Sequence, residues 1–206
     1  ALRDWLRDCA TPQGRHWINR HTGRPLRALV PMHTFGHPCD LAGLLALADD
    51  YNLVLVEDAA ESLGSHYQGR HTGTVGRLGV LSFNGNKIIT TGGGGAILTD
   101  DPDLARRAKH LTTTAKLPHP WAYVHDQTGF NYRLPNLNAA LGCAQLEQLP
   151  DFLASKRRLY ARYQAAFAGL EQARLMGEPP GCVSNYWLQT LILAEDSADQ
   201  RDAILA

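Results

Sequence analysis

The feature that most constrains the fold is the apolar run LVLVED at 53–58, which ends in two acids. A continuous apolar run of this length predicts a strand that is buried on both faces of a sheet. It follows the segment DLAGLLALADDY, in which Asp40 is a candidate N-cap and the leucines have helical spacing. The short apolar run RALVPM at 27–32 comes before that helix. Strand, helix and strand in this order predict a parallel α/β sheet, with functional residues at the carboxyl ends of strands.

Further elements are predicted downstream. RLGVLSF at 77–83 and GGAILTD at 94–100 have the pattern of strands, and Pro102 occupies the first position of a following helix. Residues 119–136 are aromatic and irregular. A helix is predicted from Asn136, is interrupted at Pro150, and continues as a long amphipathic helix. The run NYWLQTLILA at 185–194 predicts a strand that opens a smaller region.

Composition argues against several classes of function. Twenty basic and twenty acidic side chains cancel, so no net positive charge is available to hold nucleic acid non-specifically. No apolar run approaches the roughly 20 residues that span a bilayer. The four cysteines are far apart and form no C-x-x-C pair. This pattern predicts reduced cysteines in a cytoplasmic protein rather than a zinc site or a secreted disulfide framework.

The two ends of the sequence are both predicted to be helical. The first residues, ALRDWLRDCATPQG, lack a methionine and read as an amphipathic helix rather than a signal peptide. The last residues, QRDAILA, also have a helical pattern. We expect the chain to be a piece of a longer protein.

Two histidines invite a metal hypothesis that the local sequence does not favour. His33 and His37 are four residues apart, as metal-binding histidines on a helix would be. Gly36 and Pro38 make a helix there improbable, and Thr34 stands where the H-E-x-x-H motif has its glutamate. We expect these histidines to be turn or pocket-wall residues, and we predict no metal site.

Asp58 ends the apolar run and has two interpretations. It could cap a helix formed by the next residues, AAESLG. It could instead be a carboxylate that stays charged in a protected site because it meets a fixed cation. Alternation along the strand sends Glu57 and Asp58 to opposite sides. The position at a strand end favours neither interpretation over the other.

Lys87, in LSFNGNKIITTGGGG at 81–95, matches neither common phosphate-binding motif. A P-loop has its glycines before the lysine and Ser or Thr directly after it, whereas here the glycines follow and Ile88 comes next. The dinucleotide fingerprint fails because Ile97 occupies the position of its third glycine. One remaining interpretation is a lysine whose stem packs while its amine reaches water. The other is a partly buried, reactive amine that forms a Schiff base with an aldehyde.

Two further residues favour the reactive amine. The hydroxyl of Ser82 suits a phosphate, and the glycines after Lys87 would let backbone approach a ligand closely. An aldehyde, a ring nitrogen and a phosphate together describe pyridoxal 5'-phosphate, with Lys87, Asp58 and Ser82 as the matching groups.

These residues carry a family resemblance. The segment VEDAAESLGSHYQGRHTGTVGRLGVLSFNGNKIITTGGGGAILTDD resembles the central part of the DegT/DnrJ-type nucleotide-sugar aminotransferases, and GFNYRLPNLNAALGCAQLEQL and SNYWLQTLIL continue the match. The resemblance implies a fold-type I pyridoxal-phosphate transferase. Residues 1–150 would be part of its cofactor-binding large domain, a mainly parallel sheet flanked by helices. Residues 151–206 would be a linking helix and the start of a smaller C-terminal α/β domain.

The resemblance also implies residue roles. Lys87 would form the Schiff base with the cofactor and move a proton at the substrate carbon. Asp58 would pair with the pyridine nitrogen, and Ser82 would hold the phosphate. Asn131, in FNYR, would reach the phosphate of the neighbouring subunit, which implies a homodimer with shared active sites. Glu61 stands where the family commonly has glutamine, near the ring oxygen of the cofactor.

The implied reaction transfers an amine from an amino acid, glutamate being expected, to a nucleotide-linked sugar ketone. SFNGNKIITTGGGG is most similar to the branch that aminates UDP-linked 4-keto-6-deoxy sugars for legionaminic-acid-type surface sugars. Two alternatives remain open: a related sugar dehydratase, although such enzymes have histidine where Lys87 stands, and a catalytically inactive or regulatory relative. A glycine turn that cups the phosphate, and an aromatic ring stacked on the cofactor, are expected to precede residue 1.

Overall fold

The structure is a computed structural model that describes residues 1–205, and it places the run at 53–58 in a central strand. The strands are Ala10–Gln13 (β1), His16–Asn19 (β2), Pro25–Leu26 (β3), Ala28–Leu29 (β4), Val54–Asp58 (β5), His66–Tyr67 (β6), Arg70–His71 (β7), Leu78–Ser82 (β8), Gly95–Leu98 (β9), Ala173–Leu175 (β10), Cys182–Val183 (β11) and Leu191–Leu193 (β12). The helices are Leu2–Cys9 (α1), Leu41–Asp50 (α2), Pro102–Thr112 (α3), Asn136–Glu147 (α4), Leu149–Ala166 (α5) and Arg201–Leu205 (α6), with short 3-10 turns at Thr34–Gly36 and Glu195–Gln200.

The main sheet has four strands in the order β4, β5, β8, β9. Strands β4, β5 and β8 are parallel, and β9 returns antiparallel to β8. Within β5, Leu55 and Glu57 are buried while Val56 and Asp58 are half-buried. The prediction of a strand buried on both faces is therefore wrong for residues 1–205, because the second face of β5 is only partly covered by the described chain.

The helix signals in the sequence are confirmed. Asp40 caps α2 by accepting the Gly43 N–H at 3.2 Å, and Asp101 caps α3 ahead of Pro102. Helices α4 and α5 are separated at Gln148, and Pro150 lies in the first turn of α5. No helix among the described residues has the length and apolarity needed to cross a membrane.

Two predicted strands are shorter than expected. Of residues 27–32, only Ala28–Leu29 pair as a strand. Of residues 185–194, only Leu191–Leu193 do so, because Tyr186 adopts a left-handed backbone with φ of 50° that breaks the extended chain. The prediction of a continuous strand at 185–194 is wrong, and this departure shapes the candidate site.

The N-terminal segment forms an antiparallel sheet, β1–β2–β3, that the sequence did not predict. The amphipathic pattern of α1 is confirmed, since Leu6 and Cys9 are buried against Leu47 and Tyr51 of the α2 region. All four cysteines are free. The division into 1–150 and 151–206 remains a prediction.

Candidate active site

The sheet brings two of the predicted residues to one edge. Asp58 is the last residue of β5 and Ser82 is the last residue of β8, its parallel neighbour. Carboxyl ends of parallel strands meet at the same edge of a sheet, which is the usual place for a ligand in an α/β fold. Lys87 lies in the connection that follows β8, where its N–H donates to the Asn84 carbonyl at 3.1 Å.

Asp58 is held by two hydrogen bonds that it accepts from backbone N–H groups. Its carboxylate oxygen Oδ1 accepts the Ala60 N–H at 3.1 Å, and its carbonyl accepts the His33 N–H at 3.0 Å. Residues 59–65 form turns and not a helix. The helix-cap interpretation of Asp58 is therefore wrong, and the carboxylate instead stabilises the turn that follows β5.

Glu57, one residue earlier, is fully buried on the opposite side of the strand. Its carboxylate accepts backbone N–H groups from Gly73 at 2.7 Å and from Val75 and Gly76 at 2.6 Å each. Burial acts to raise the pKa of Glu57, but these hydrogen bonds and one from His33 outweigh it and hold the pKa below its ordinary value. Glu57 thereby fixes the loop before β8 to the strand that carries Asp58.

The two histidines considered for a metal are buried and take separate partners. His33 Nδ1 accepts the Cys39 N–H at 3.1 Å, so the ring proton lies on Nε2, 3.0 Å from Glu57. His37 Nδ1 lies 2.9 Å from the Ser184 hydroxyl, and burial lowers the pKa of His37. Both histidines hydrogen-bond to neighbouring loops, in keeping with the prediction that they are turn or pocket-wall residues.

Lys87 Nζ is enclosed by two side chains. It lies 3.7 Å from Glu61 Oε1, and it lies 3.9 Å from the centroid of the Trp187 ring. Only 14% of the Lys87 side chain is exposed. Because the amine faces a carboxylate and an indole and the side chain is mostly buried, the structure favours the interpretation of Lys87 as a partly buried amine.

Glu61 is oriented by a strained piece of backbone. Its second oxygen, Oε2, accepts the Phe35 N–H at 2.7 Å, and Phe35 has a left-handed φ of 58°. A non-glycine residue in this region is uncommon, and it often marks a functional constraint. One oxygen of the Glu61 carboxylate is thus fixed by backbone while the other faces the Lys87 amine.

Trp187 and Asn185 belong to the site but were missed by sequence reasoning. Asn185 is fully buried: its amide Nδ2 donates to the carbonyls of Glu61 at 2.8 Å and Leu63 at 2.9 Å, and its Oδ1 accepts the Trp187 N–H at 2.8 Å. The Trp187 indole N–H donates to the Asn86 carbonyl at 2.6 Å. The only sequence signal for these two residues is an amide and an indole within the run at 185–194, whose composition predicts a strand.

The glycines after Lys87 shape the turn into β9. Gly92 and Gly94 have φ of 79° and 118°, which side-chain-bearing residues rarely adopt. They line a groove of about 900 Å³ between β9, α3 and residues 132–138, but Lys87 does not line it. In the described chain these glycines help to reverse the chain into β9, and their close approach to a ligand remains a prediction.

Asn131 lies on the irregular segment between α3 and α4. It is exposed and pairs with Thr113 in an isolated antiparallel bridge. Its neighbours Phe130 and Tyr132 stack on each other with ring centroids 5.2 Å apart, and 71% of Tyr132 is exposed. Among the described contacts none joins Asn131 to Lys87, and the role of Asn131 at a neighbouring subunit remains a prediction.

Comparison with known proteins decides the family. A sequence model described as the DegT/DnrJ/EryC1/StrS aminotransferase family matches residues 13–206. The chain belongs to this family. It is 40% identical over 174 residues to a putative pyridoxal phosphate-dependent aminotransferase, EpsN, of Bacillus subtilis, covering 84% of this chain and 45% of the relative. It is 38% identical over 178 residues to the GDP-perosamine synthase of Escherichia coli O157:H7, covering 86% of this chain and 48% of the relative.

The fold prediction is also confirmed for this DegT/DnrJ/EryC1/StrS family member. The crystal structure of the aminotransferase TlmJ from Streptoalloteichus hindustanus superposes with a TM-score of 0.78 at 30% identity, covering 86% of this chain and 50% of that one. The shared architecture is that of fold-type I transferases. The chain spans about half the length of the relatives it matches.

Proposed function

We propose that this chain supplies the cofactor-binding site of a pyridoxal 5'-phosphate-dependent aminotransferase that acts on nucleotide-linked sugars. The observation that carries the proposal is the enclosed amine of Lys87, in the connection that follows a strand ending in Ser82 and beside a strand ending in Asp58. The names of the similar relatives, a pyridoxal phosphate-dependent aminotransferase and a GDP-perosamine synthase, support the same chemistry.

The residues present fit pyridoxal phosphate by the chemistry of their donor atoms. A lysine amine suits the aldehyde, a carboxylate suits the protonated ring nitrogen, and a hydroxyl suits the phosphate. Ser82 Oγ has a long contact of 3.4 Å with the Asn84 N–H, which leaves the hydroxyl proton available to a phosphate oxygen. Asp58 keeps one carboxylate oxygen on the Ala60 N–H, which holds its orientation.

The roles of the chain's own residues follow from these positions. Lys87 Nζ would hold the aldehyde carbon of the cofactor and, when free, would move a proton at the reacting carbon of the substrate. Asp58 would keep the ring nitrogen protonated, and Ser82 would anchor the phosphate. Bound pyridoxal phosphate supplies the electron sink for the reaction. Proton transfer by one well-placed base contributes about 10²–10⁴-fold to the rate.

We further propose the substrates as a UDP-linked 4-keto-6-deoxy sugar and glutamate, in a homodimer located in the cytoplasm. The basis is the similarity of the lysine segment to the branch that acts on such sugars. The amino group of glutamate is transferred to the sugar ketone, so that glutamate leaves as a 2-oxo acid and the sugar leaves as an amine. Asn131 contributes to the phosphate site of the partner subunit.

Reductive trapping tests the cofactor site. The protein, produced from its complete gene, is mixed with pyridoxal phosphate, reduced with borohydride and digested for peptide mapping. We expect the label on Lys87 in the wild type and no label at that peptide in Lys87→Ala. Label on Lys156, whose amine donates to the Trp187 carbonyl at 2.9 Å, or on another lysine would contradict the proposal.

A substrate panel tests the finer assignment. UDP-, GDP- and dTDP-linked 4-keto-6-deoxy sugars are each offered with glutamate, aspartate or alanine as donor, and the aminated sugar is measured. We expect the highest kcat/KM for the UDP sugar with glutamate. A preference for the GDP or dTDP sugar would replace the nucleotide while leaving transamination in place, and no amination of any sugar would overturn the proposed reaction.

A further inference from the structure

Glu61 and Lys87 form the ion pair from which a further inference starts. The side chains are 17% and 14% exposed, and Oε1 lies 3.7 Å from Nζ. The other oxygen is occupied by the Phe35 N–H at 2.7 Å. A glutamine in this position would have to place its amide oxygen on the Phe35 N–H, and its NH2 group, which can only donate, would then face the lysine. This geometry therefore suits a carboxylate at position 61 better than an amide.

Trp187 encloses the amine from a second side. Nζ lies 3.9 Å from the ring centroid, within the distance at which a cation is attracted to the face of an indole. The ring is held at its polar edge by the 2.6 Å bond from its N–H to the Asn86 carbonyl, next to Lys87 in the sequence. Its backbone is held by Asn185 on the N–H and by Lys156 on the carbonyl. Trp187 is thus fixed relative to the turn that carries Lys87.

We propose that Glu61 and Trp187 form a cation pocket that positions the Lys87 amine, with Glu61 as the counter-charge and Trp187 as the aromatic wall. Both are positioning residues, because they act through Lys87. The functional meaning of the pocket rests on the proposed role of Lys87. The pocket also gives the carboxylate at position 61 a function in the chain itself.

Competitive labelling of the cofactor-free protein tests the pocket. A trace amount of an acylating reagent is applied at fixed pH to the protein from its complete gene, and the labelling of Lys87 is measured by mass spectrometry relative to the exposed Lys109. An amine that is held against a carboxylate and an indole face reacts slowly, because the reagent reaches its nitrogen only when these contacts open. Glu61→Gln keeps the size of the side chain, so a change in rate reports on the loss of the carboxylate contact and not on a change in side-chain volume.

We expect Lys87 labelling in Glu61→Gln to be faster than in the wild type by roughly two- to fivefold. Trp187→Phe, which keeps an aromatic face, should stay within about twofold of the wild type, whereas Trp187→Leu should label faster than Trp187→Phe. An unchanged rate in Glu61→Gln would overturn the role of Glu61. Equal rates in Trp187→Leu and the wild type would overturn the role of Trp187.

The labelling experiment tests the cation pocket independently of the trapping experiment that tests the proposed function. Labelling is measured without cofactor, so it supports or overturns the pocket even if the protein does not transaminate. If the labelling differences are found but borohydride traps no cofactor on Lys87, the proposed function fails and the pocket stands. If trapping succeeds on Lys87 while the variants label like the wild type, the pocket fails and the proposed function stands.

Discussion

The indole N–H of Trp187 donates a 2.6 Å hydrogen bond to the carbonyl of Asn86, a residue 101 positions earlier in the chain. This bond joins the segment after β11 to the turn that carries the candidate Schiff-base lysine. Because Trp187 also covers the Lys87 amine, the segment at 184–187 is part of the site and not only the beginning of another region. Asn185 is the residue that holds this segment in place.

Asn185→Ala is expected to destabilise the protein by about 3–5 kcal/mol. The change removes the side-chain bonds to the Glu61 and Leu63 carbonyls and leaves the buried Trp187 N–H without its acceptor. Urea unfolding followed by tryptophan fluorescence measures the loss. Asn84→Ala removes an exposed amide with one long contact of 3.4 Å and should change stability by less than about 0.5 kcal/mol. Similar losses in both variants would contradict the role assigned to Asn185.

Gly36→Ala is expected to disturb the same anchor from the opposite side. Gly36 has a φ of 93°, and an added Cβ would overlap Asn185 Oδ1. Gly69 is a matched control, because its φ of 80° is similar but an added Cβ would meet nothing within 4 Å. Gly69→Ala should therefore cost only backbone strain, about 1 kcal/mol, whereas Gly36→Ala should cost at least about 2 kcal/mol more. Equal unfolding free energies for the two variants would show that Asn185 moves aside freely.

Glu57→Gln is expected to weaken the fold in a pH-dependent way. The folded-state pKa of Glu57 lies below the ordinary value of 4.5, so its carboxylate stabilises the fold fully above that value. The contribution is lost as the pH falls below 4.5 through the lowered pKa. At pH 7 the variant should be less stable by about 2–4 kcal/mol, because an amide cannot accept the N–H groups of Gly73, Val75 and Gly76 with both of its heavy atoms.

Denaturation measured between pH 3 and pH 7 checks the Glu57 prediction. The stability difference between the wild type and Glu57→Gln should be largest at neutral pH and should shrink at acid pH. An exposed carboxylate, Asp8, provides the control, since Asp8→Asn should give a small difference at every pH. A Glu57 difference that stays constant across the range would contradict a lowered pKa in the folded state.

Much of the sheet edge could be predicted because its signals are local. The apolar run before Asp58, the cap at Asp40 and the proline at 102 each specify an element from neighbouring residues. The alternation along β5 also predicted that Glu57 and Asp58 face opposite ways, and the structure places only Glu57 in full burial. What alternation could not provide is the set of backbone donors around Glu57, which come from a loop 16 to 19 residues away.

The Trp187 contact could not be predicted from the sequence for two physical reasons. The left-handed backbone of Tyr186 interrupts a run whose composition favours a strand, and this conformation depends on the burial of Tyr186 against Tyr160 and His37. The carbonyls of Glu61 and Leu63 that Asn185 binds lie 124 and 122 residues earlier, so no periodicity connects them. Tertiary packing decided the conformation here, against local propensity.

Asn131 is exposed in the single chain, as a residue that serves a partner subunit would be. If Asn131 serves the phosphate site of the partner subunit, Lys87→Ala and Asn131→Ala should each be inactive alone but should complement each other when mixed. In a mixed dimer one site carries both changes and the other carries neither. Random exchange makes half of the dimers mixed, so transaminase activity should recover to about a quarter of the wild-type value. Aminated sugar is measured after subunits are dissociated and reassociated together. If Asn131 served the site of its own chain, each mixed dimer would have one defect in each site and no activity would return. A monomeric protein would also recover no activity. Light scattering on the wild type distinguishes these two cases.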